Sequence, residues 1–180
     1  MKTIIVVGNG MVGYKFCEKF VSKSESKNFK LQVFGEEPRA AYDRVHLSQF
    51  FENRDAKALE LAPLEWYQEN DIDLIVNERV TDIHRDRKSI TTSTDKEYHY
   101  DYLILATGSA PFVPPINGIE KKGVFVYRTI EDLEGMLAYA DEIKTSEYGE
   151  KLHLEEDLTP IELYFNNTSI PLACPSSIIK

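Results

Sequence analysis

The sequence predicts an α/β fold with a mainly parallel sheet and a small antiparallel β-meander beside it. Three observations carry that prediction. A β-branched run at residues 3–7 ends in glycines and passes directly into residues with helical spacing. A second apolar run, 31–34, follows that helix after a polar link. Further on, residues 78–86, 88–93 and 97–102 alternate apolar and polar side chains between short polar turns. Strand, helix and strand in succession require a parallel crossover, whereas tight turns between alternating runs join antiparallel neighbours.

The elements follow in order. Residues 3–7 suit a short strand buried on both faces. From Met11 to about Ser24 the apolar residues Val12, Phe16, Phe20 and Val21 recur at helical spacing, and Lys15, Glu18 and Lys19 take the other face. A polar link at 22–28 leads to the strand at 31–34. Residues 35–53 read as loop and then as helix around 47–51. Pro63 is tolerated in a first helical turn and opens a helix through Asn70. Residues 73–76 form a short strand before the meander, and 103–106 a further parallel strand ended by Thr107 and Gly108. Pro111, Pro114 and Pro115 forbid helix or central strand. A strand is expected at 124–126. A helix is expected at 130–143, where the early acids Glu131, Asp132 and Glu134 suit the macrodipole. From Lys144 the chain has three prolines and no sustained period, so the domain is bounded at 1–143 and 144–180 is an unassigned tail.

Composition narrows the function. Asp and Glu outnumber Lys and Arg by 30 to 21, for a net charge of -9. That balance argues against nucleic acid and against an anionic membrane surface as partners. Two cysteines, Cys17 and Cys174, cannot build a disulfide framework or a four-thiolate centre. His46, His84, His99 and His153 are scattered without ligand spacing, so no metal site is expected. No apolar run approaches the ~18 residues of a membrane-spanning helix. The first apolar run ends at glycines without a cleavage site, so it reads as a strand and not a signal peptide. A cytoplasmic setting is the expectation. Cys17, on the inner side of the first helix, reads as a buried thiol. Trp66 and Tyr67 read as packing anchors, and His99 as a surface residue.

The informative motif is Gly8-Asn9-Gly10-Met11-Val12-Gly13, a G-x-G-x-x-G. It is preceded by a buried strand, followed by an amphipathic helix, and answered by an acidic residue after the second strand. Gly8 makes the tight turn, Gly10 lets a pyrophosphate approach the backbone, and Gly13 allows close helix–strand packing. The helix start offers N–H groups and partial positive charge to the phosphates. The plain alternative is a glycine turn with no ligand. Glu36 lies 23 residues past Gly13, near the spacing at which a carboxylate accepts ribose hydroxyls. Such a carboxylate repels a 2′-phosphate and favours FAD or NAD over NADP. Glu37 reads as a solvated loop charge.

Four motifs in order extend this to a family resemblance. Glu36-Glu37-Pro38-Arg39 with Tyr42-Asp43-Arg44-Val45-His46-Leu47-Ser48 resembles the FAD domain of the ferredoxin-reductase-like, flavin-dependent pyridine-nucleotide oxidoreductases. The run from Asp101 through Ala106-Thr107-Gly108 to Pro111 resembles the family's second flavin motif. Together with GNGMVG and Phe125-Val126-Tyr127-Arg128-Thr129-Ile130-Glu131-Asp132-Leu133, the match is most similar to the family's nitrite-reductase branch. The resemblance implies a Rossmann-like FAD-binding domain. Gly8, Gly10, Met11, Val12 and Gly13 would hold the FAD pyrophosphate, and Glu36 the adenosine ribose. Arg44 would lie on the pyrophosphate or adenine side, and Val80 would present backbone to the adenine. Ala106, Thr107 and Gly108 would close over the cofactor. Where many relatives have lysine after the Leu-Ser pair, this chain has Gln49.

The resemblance further implies electron transfer from NAD(P)H through FAD, a place in nitrate assimilation, and no catalytic acid or base. It leaves a homo-oligomer open. In complete members a second dinucleotide-binding domain, for NAD(P)H, interrupts the FAD domain just after the position of Ile143. No second G-x-G-x-x-G follows here, and no cysteine cluster for an iron–sulfur centre and sirohaem. The chain is therefore expected to be incomplete relative to the family, through truncation, a frame change or rearrangement. A non-catalytic remnant and a simple NAD-binding module are the rival readings.

Overall fold

Alternation along the first strand sets the layers. In the computed structural model, which describes residues 1–145, β1 runs Lys2–Val7 and is buried from Ile4 onward. Successive side chains of a strand point to opposite faces. Ile4 and Val6 join one core with Cys17, Leu31, Val33, Tyr67 and Ile72. Ile5 and Val7 join another with Phe34 and Ile90. A strand buried on both faces tolerates no polar position, which is why residues 3–7 carry a single hydroxyl, on Thr3.

The parallel sheet has the order β3-β2-β1-β7, with β2 at Phe29–Phe34, β3 at Ile72–Ile75 and β7 at Tyr102–Leu105. Helix α1 (Met11–Val21) and helix α3 (Leu64–Glu69) supply Cys17, Phe16, Phe20, Trp66 and Tyr67 to the first core. Trp66 and Tyr67 are thus packing residues, meeting edge to face at 5.0 Å. Burial pushes the Cys17 thiol up to about 12, so the group is a small hydrophobe here. The meander covers the other face. Its strands β4 (Val80–His84), β5 (Ser89–Thr92) and β6 (Glu97–His99) are antiparallel in that order. Ile90, Val80, Tyr98 and Tyr100 pack beneath β1 and β2. Where the meander is tied down, Glu78 is buried and accepts hydrogen bonds from the Thr92 and Thr94 hydroxyls at 2.6 and 2.8 Å. These bonds hold its carboxyl below the usual carboxylate range, and His99 is exposed.

These strands and helices belong to one of two compact units, Met1–His46 with Asp55–Ala110. The other comprises, among the described residues, Leu47–Arg54 and 111–145. In it, a 3-10 turn at Leu47–Gln49 leads into α2 (Phe50–Asn53), and α4 spans Ile130–Thr145. Leu47, Phe50, Ile130, Leu133, Met136 and Leu137 are buried. The start of α4 is capped reciprocally. Thr129 and Arg128 backbone N–H groups donate to Asp132, whose own N–H donates to the Thr129 hydroxyl at 3.2 Å.

Three expectations need correction. Residues 124–126 form no strand. Gly123 has φ +93°, Val124 N–H closes a turn onto Lys121, and Phe125 packs on the Tyr139 ring at 5.5 Å. The run 97–102 is not one strand, because the chain leaves the meander after His99 and enters the parallel sheet at Tyr102. The transfer is pinned by Tyr100 N–H on Lys88 and Asp101 N–H on Thr3, with the Asp101 carboxylate accepting from Thr3 N–H at 2.7 Å. Pro63 caps α3 and does not enter its first turn. The polar link at 22–28 and residues 47–49 and 56–59 contain short 3-10 segments. The tail 146–180 lies outside the described residues, and with it Gly149, His153 and Cys174. Among the described residues no helix is long and apolar enough to cross a membrane.

Candidate functional site

The carboxyl ends of β1, β2 and β7 meet at the point where strand order reverses about β1, the place where open α/β sheets bind ligands. The three glycines there do different things. Gly8 has φ +108°, and a Cβ on it would lie 2.2 Å from the Ala106 carbonyl oxygen and 3.0 Å from the Thr107 nitrogen. A Cβ on Gly13 would lie 2.0 Å from the Gly8 carbonyl oxygen. Gly8, Gly13, Ala106 and Thr107 are therefore in direct contact, and neither glycine can take a side chain. A Cβ on Gly10 would meet nothing within 4 Å. The space over Gly10 is open while the backbone beside it is locked.

That space faces the start of α1. Gly10 is the N-cap, no side chain caps it, and the first turn carries no acid. The first intrahelical bond is Tyr14 N–H to Gly10 C=O at 2.9 Å, so the N–H groups of Met11, Val12 and Gly13 lie ahead of the helical ladder. They add to the positive end of the helix dipole. The Val12 side chain is 70% exposed. Asn9 braces the turn. Its Oδ1 accepts from the Tyr67 hydroxyl at 3.0 Å, and its Cβ sits 3.2 Å from where a Gly35 Cβ would be. Its buried Nδ2 has no partner among the described residues. Burial pushes the Tyr67 hydroxyl up to about 12, so it stays protonated and donates. A cradle of N–H donors with no acid in the first helical turn suits a pyrophosphate, and the residues present fit a dinucleotide cofactor.

The acids after β2 divide sharply. Glu37 is half-buried and is no solvated charge. It accepts from the Tyr42 hydroxyl at 2.7 Å and pairs with the Arg44 guanidinium, which lies 4.8 Å over the Tyr42 ring. Arg44 is thus placed on Glu37. Glu36 is exposed, one residue beyond the Gly35 that abuts Asn9, and its Oε2 lies 3.8 Å from Arg79 Nε. Asp43 accepts from Val45 N–H at 2.8 Å and pairs with His46 at 2.7 Å, which holds its carboxyl below the usual range. Val80 opens β4, and its side chain packs into the lower core. Gly108 follows the second motif with φ +67°, and Thr107 is exposed. The structure therefore brings Gly8, Gly10, Met11, Val12, Gly13, Ala106 and Thr107 to one place, with Glu36 on the neighbouring strand end. Sequence reasoning missed Asn9, Tyr67 and Arg79. Asn9 lay inside the motif as a variable position, and nothing in the order of residues pairs 79 with 36.

Comparison with known proteins gives the family and the fold. The chain is 47% identical over 133 residues to the nitrite reductase (NADH) large subunit of Escherichia coli, which covers 74% of this chain and 16% of that protein. It is 42% identical over 137 residues to the nitrite reductase [NAD(P)H] large subunit of Klebsiella oxytoca, covering 76% of this chain and 14% of that one. It thus spans about a sixth of the length of the curated relatives it matches. Among solved structures, reduced Bacillus anthracis CoADR-RHD superposes with a TM-score of 0.71 at 27% identity, over 79% of this chain and 27% of that one. The shared architecture is a flavin-binding fold. The family described as pyridine nucleotide-disulphide oxidoreductase matches residues 2–146, four-fifths of the chain, and the chain belongs to that family.

Proposed function

We propose that residues 1–143 are the FAD-binding portion of a flavin-dependent NAD(P)H oxidoreductase of the nitrite-reductase type, working in the cytoplasm. The observation that carries this reading is the open space over Gly10, set against the N–H groups of Met11, Val12 and Gly13. In this reading those N–H groups bind the FAD pyrophosphate, and Glu36 accepts the ribose hydroxyls. Arg44, Val80, Ala106, Thr107 and Gly108 line the cofactor's flanks. A bound flavin would supply redox chemistry of the hydride-accepting and one-electron-donating kind. The chain's own residues bind and orient it, and none is assigned as a catalytic acid or base. NAD(P)H is a partner of the longer protein, as are the metal centres of the nitrite-reductase type, and a homo-oligomer is compatible with the fold.

The test is the colour of the purified full chain and its titration with FAD. A yellow protein, or one that saturates with FAD and quenches its fluorescence, supports the reading. A colourless chain that cannot be reconstituted refutes it and leaves a non-catalytic remnant. Saturable NAD binding without flavin uptake would reassign the first turn to NAD.

A further inference from the structure

We infer that Tyr67 is a positioning residue for the dinucleotide site, its hydroxyl tying the glycine turn at Gly8–Gly13 to the segment that carries Arg44. The inference rests on the FAD reading above and gives Tyr67 a role that packing alone does not.

The hydroxyl is used in both directions. Its oxygen accepts from the Ala41 backbone N–H, and its proton goes to Asn9 Oδ1 at 3.0 Å. A backbone N–H can only donate, so Ala41 takes a lone pair of the hydroxyl and leaves the proton to Asn9. Three separate segments meet at this one group. Asn9 lies between Gly8 and Gly10, Ala41 is three residues before Arg44, and Tyr67 belongs to α3. Of residues 8–10, Asn9 alone has a side chain, so a side-chain grip on the turn before α1 passes through it.

Both ends of the bridge are fixed. Tyr67 is buried in the first core. On one side, Leu61 N–H donates to the Ala41 carbonyl at 2.9 Å and Asp43 N–H to the Leu59 carbonyl at 2.8 Å, around the pairing of Tyr42 with Glu60. On the other, Gly8 N–H donates to the Phe34 carbonyl at 2.8 Å, and the Asn9 Cβ packs over Gly35. The N–H groups of Met11, Val12 and Gly13 follow directly on this braced turn, and a site holds its ligand best when its supporting groups are locked in advance.

Stability gives little reason for the arrangement. Core filling asks only for the ring, and phenylalanine supplies that without burying a hydroxyl. Asn9 is held at a cost, because its buried Nδ2 has no partner among the described residues. A side chain selected for stability alone would not leave that donor unpaired.

The experiment uses the full chain and titration with FAD, read by fluorescence quenching. Tyr67→Phe keeps the ring and removes the bridge, and FAD affinity should fall roughly three- to tenfold, the worth of one neutral hydrogen bond. Ile72→Val trims the same core and is the control: it should lower the urea midpoint and leave the FAD Kd unchanged. Asn9→Ala keeps the Cβ over Gly35 and removes the bond from its other end. It should weaken FAD binding by a similar factor, and the double variant Tyr67→Phe, Asn9→Ala should lose no more than the larger single loss, because both changes remove one bond. Wild-type affinity in Tyr67→Phe overturns the inference. So do losses that multiply in the double variant, or an equal loss in Ile72→Val, which would make the effect one of general stability. Asn9→Ala carries the test if Tyr67→Phe fails to fold, and wild-type affinity there overturns the inference as well. A wild-type chain that takes up no FAD overturns the proposed function, whereas wild-type uptake with unchanged variants overturns this inference alone.

Discussion

Gly10→Val and Gly8→Ala separate ligand space from structural space within one turn. At Gly10 the backbone is extended, at φ -89° and ψ -167°, a conformation any L residue adopts, and a Cβ meets nothing within 4 Å. Valine there costs the chain no clash. Loss of a favourable N-cap residue is worth up to ~1 kcal/mol, and reduced freedom of the unfolded chain offsets ~0.4–1 kcal/mol of that. The folded chain should keep its stability to within about 1 kcal/mol. Gly8→Ala is opposite in kind. A residue with φ +108° and a Cβ 2.2 Å from the Ala106 carbonyl oxygen must move backbone against backbone. Conformational strain of ~1–2 kcal/mol adds to overpacking of ~1–3 kcal/mol, or a fall in Tm of about 5–15 °C for a chain of this size. Flavin binding should rank the two variants differently. Valine at Gly10 fills the pyrophosphate space and removes charge-assisted contacts worth at least ~3 kcal/mol, roughly a hundredfold in Kd. The assays are urea denaturation for the fold and FAD titration for the site. A Gly10→Val chain that binds FAD like wild type refutes the placement of the pyrophosphate. A Gly8→Ala chain as stable as wild type refutes the close packing of the two motifs.

Glu36→Ala should weaken FAD binding by roughly ten- to a hundredfold, the worth of a charge-assisted hydrogen bond, as measured by fluorescence titration. Glu37→Ala should mainly lower the denaturation midpoint, because it removes the carboxylate that accepts from the Tyr42 hydroxyl and pairs with Arg44; a larger flavin effect at Glu37 would shift the ribose contact by one residue. The carboxyl of Glu78 is held below its ordinary value in the fold by the Thr92 and Thr94 hydroxyls. Its stabilisation is complete above the unfolded value of ~4.3 and is lost as pH falls through the lower folded value. Denaturation midpoints of wild type and Glu78→Gln should therefore converge in acid, and a gap that is constant with pH would contradict this. Cys17, pushed up to about 12 by burial, should resist thiol reagents in the native chain and react only as fast as the chain opens. Labelling as rapid as that of the denatured protein would show the first core to be loose.

Much of the fold was legible in the order of residues, for a local reason. The β-branched run at 3–7 and the helical spacing of Phe16 and Phe20 reflect which faces are buried, and burial is written as period. The glycine motif was legible because its neighbours supplied strand, helix and acid at fixed offsets. What stayed hidden was set by distant partners. Residues 97–102 look like one alternating strand, yet Tyr98 pairs in the meander while Tyr102 pairs beside β1. Residues 124–126 have strand-like composition but no neighbouring strand among the described residues, and a strand without a ladder leaves its backbone unsatisfied.

The sequence by itself determined the fold class, the family and the turn at Gly8–Gly13, because each depends on side-chain pattern over short spans or on similarity to relatives. Tertiary structure alone decided how the chemistry is shared out among residues of the same type. It sorted two adjacent acids, committing Glu37 to Tyr42 and Arg44 and leaving Glu36 at the mouth beside Arg79. It sorted three glycines, two closed by backbone oxygens and one open. Charge and space are properties of what lies within a few ångströms, and the residues within a few ångströms of Gly8 and Glu36 are about a hundred and about forty positions away along the chain.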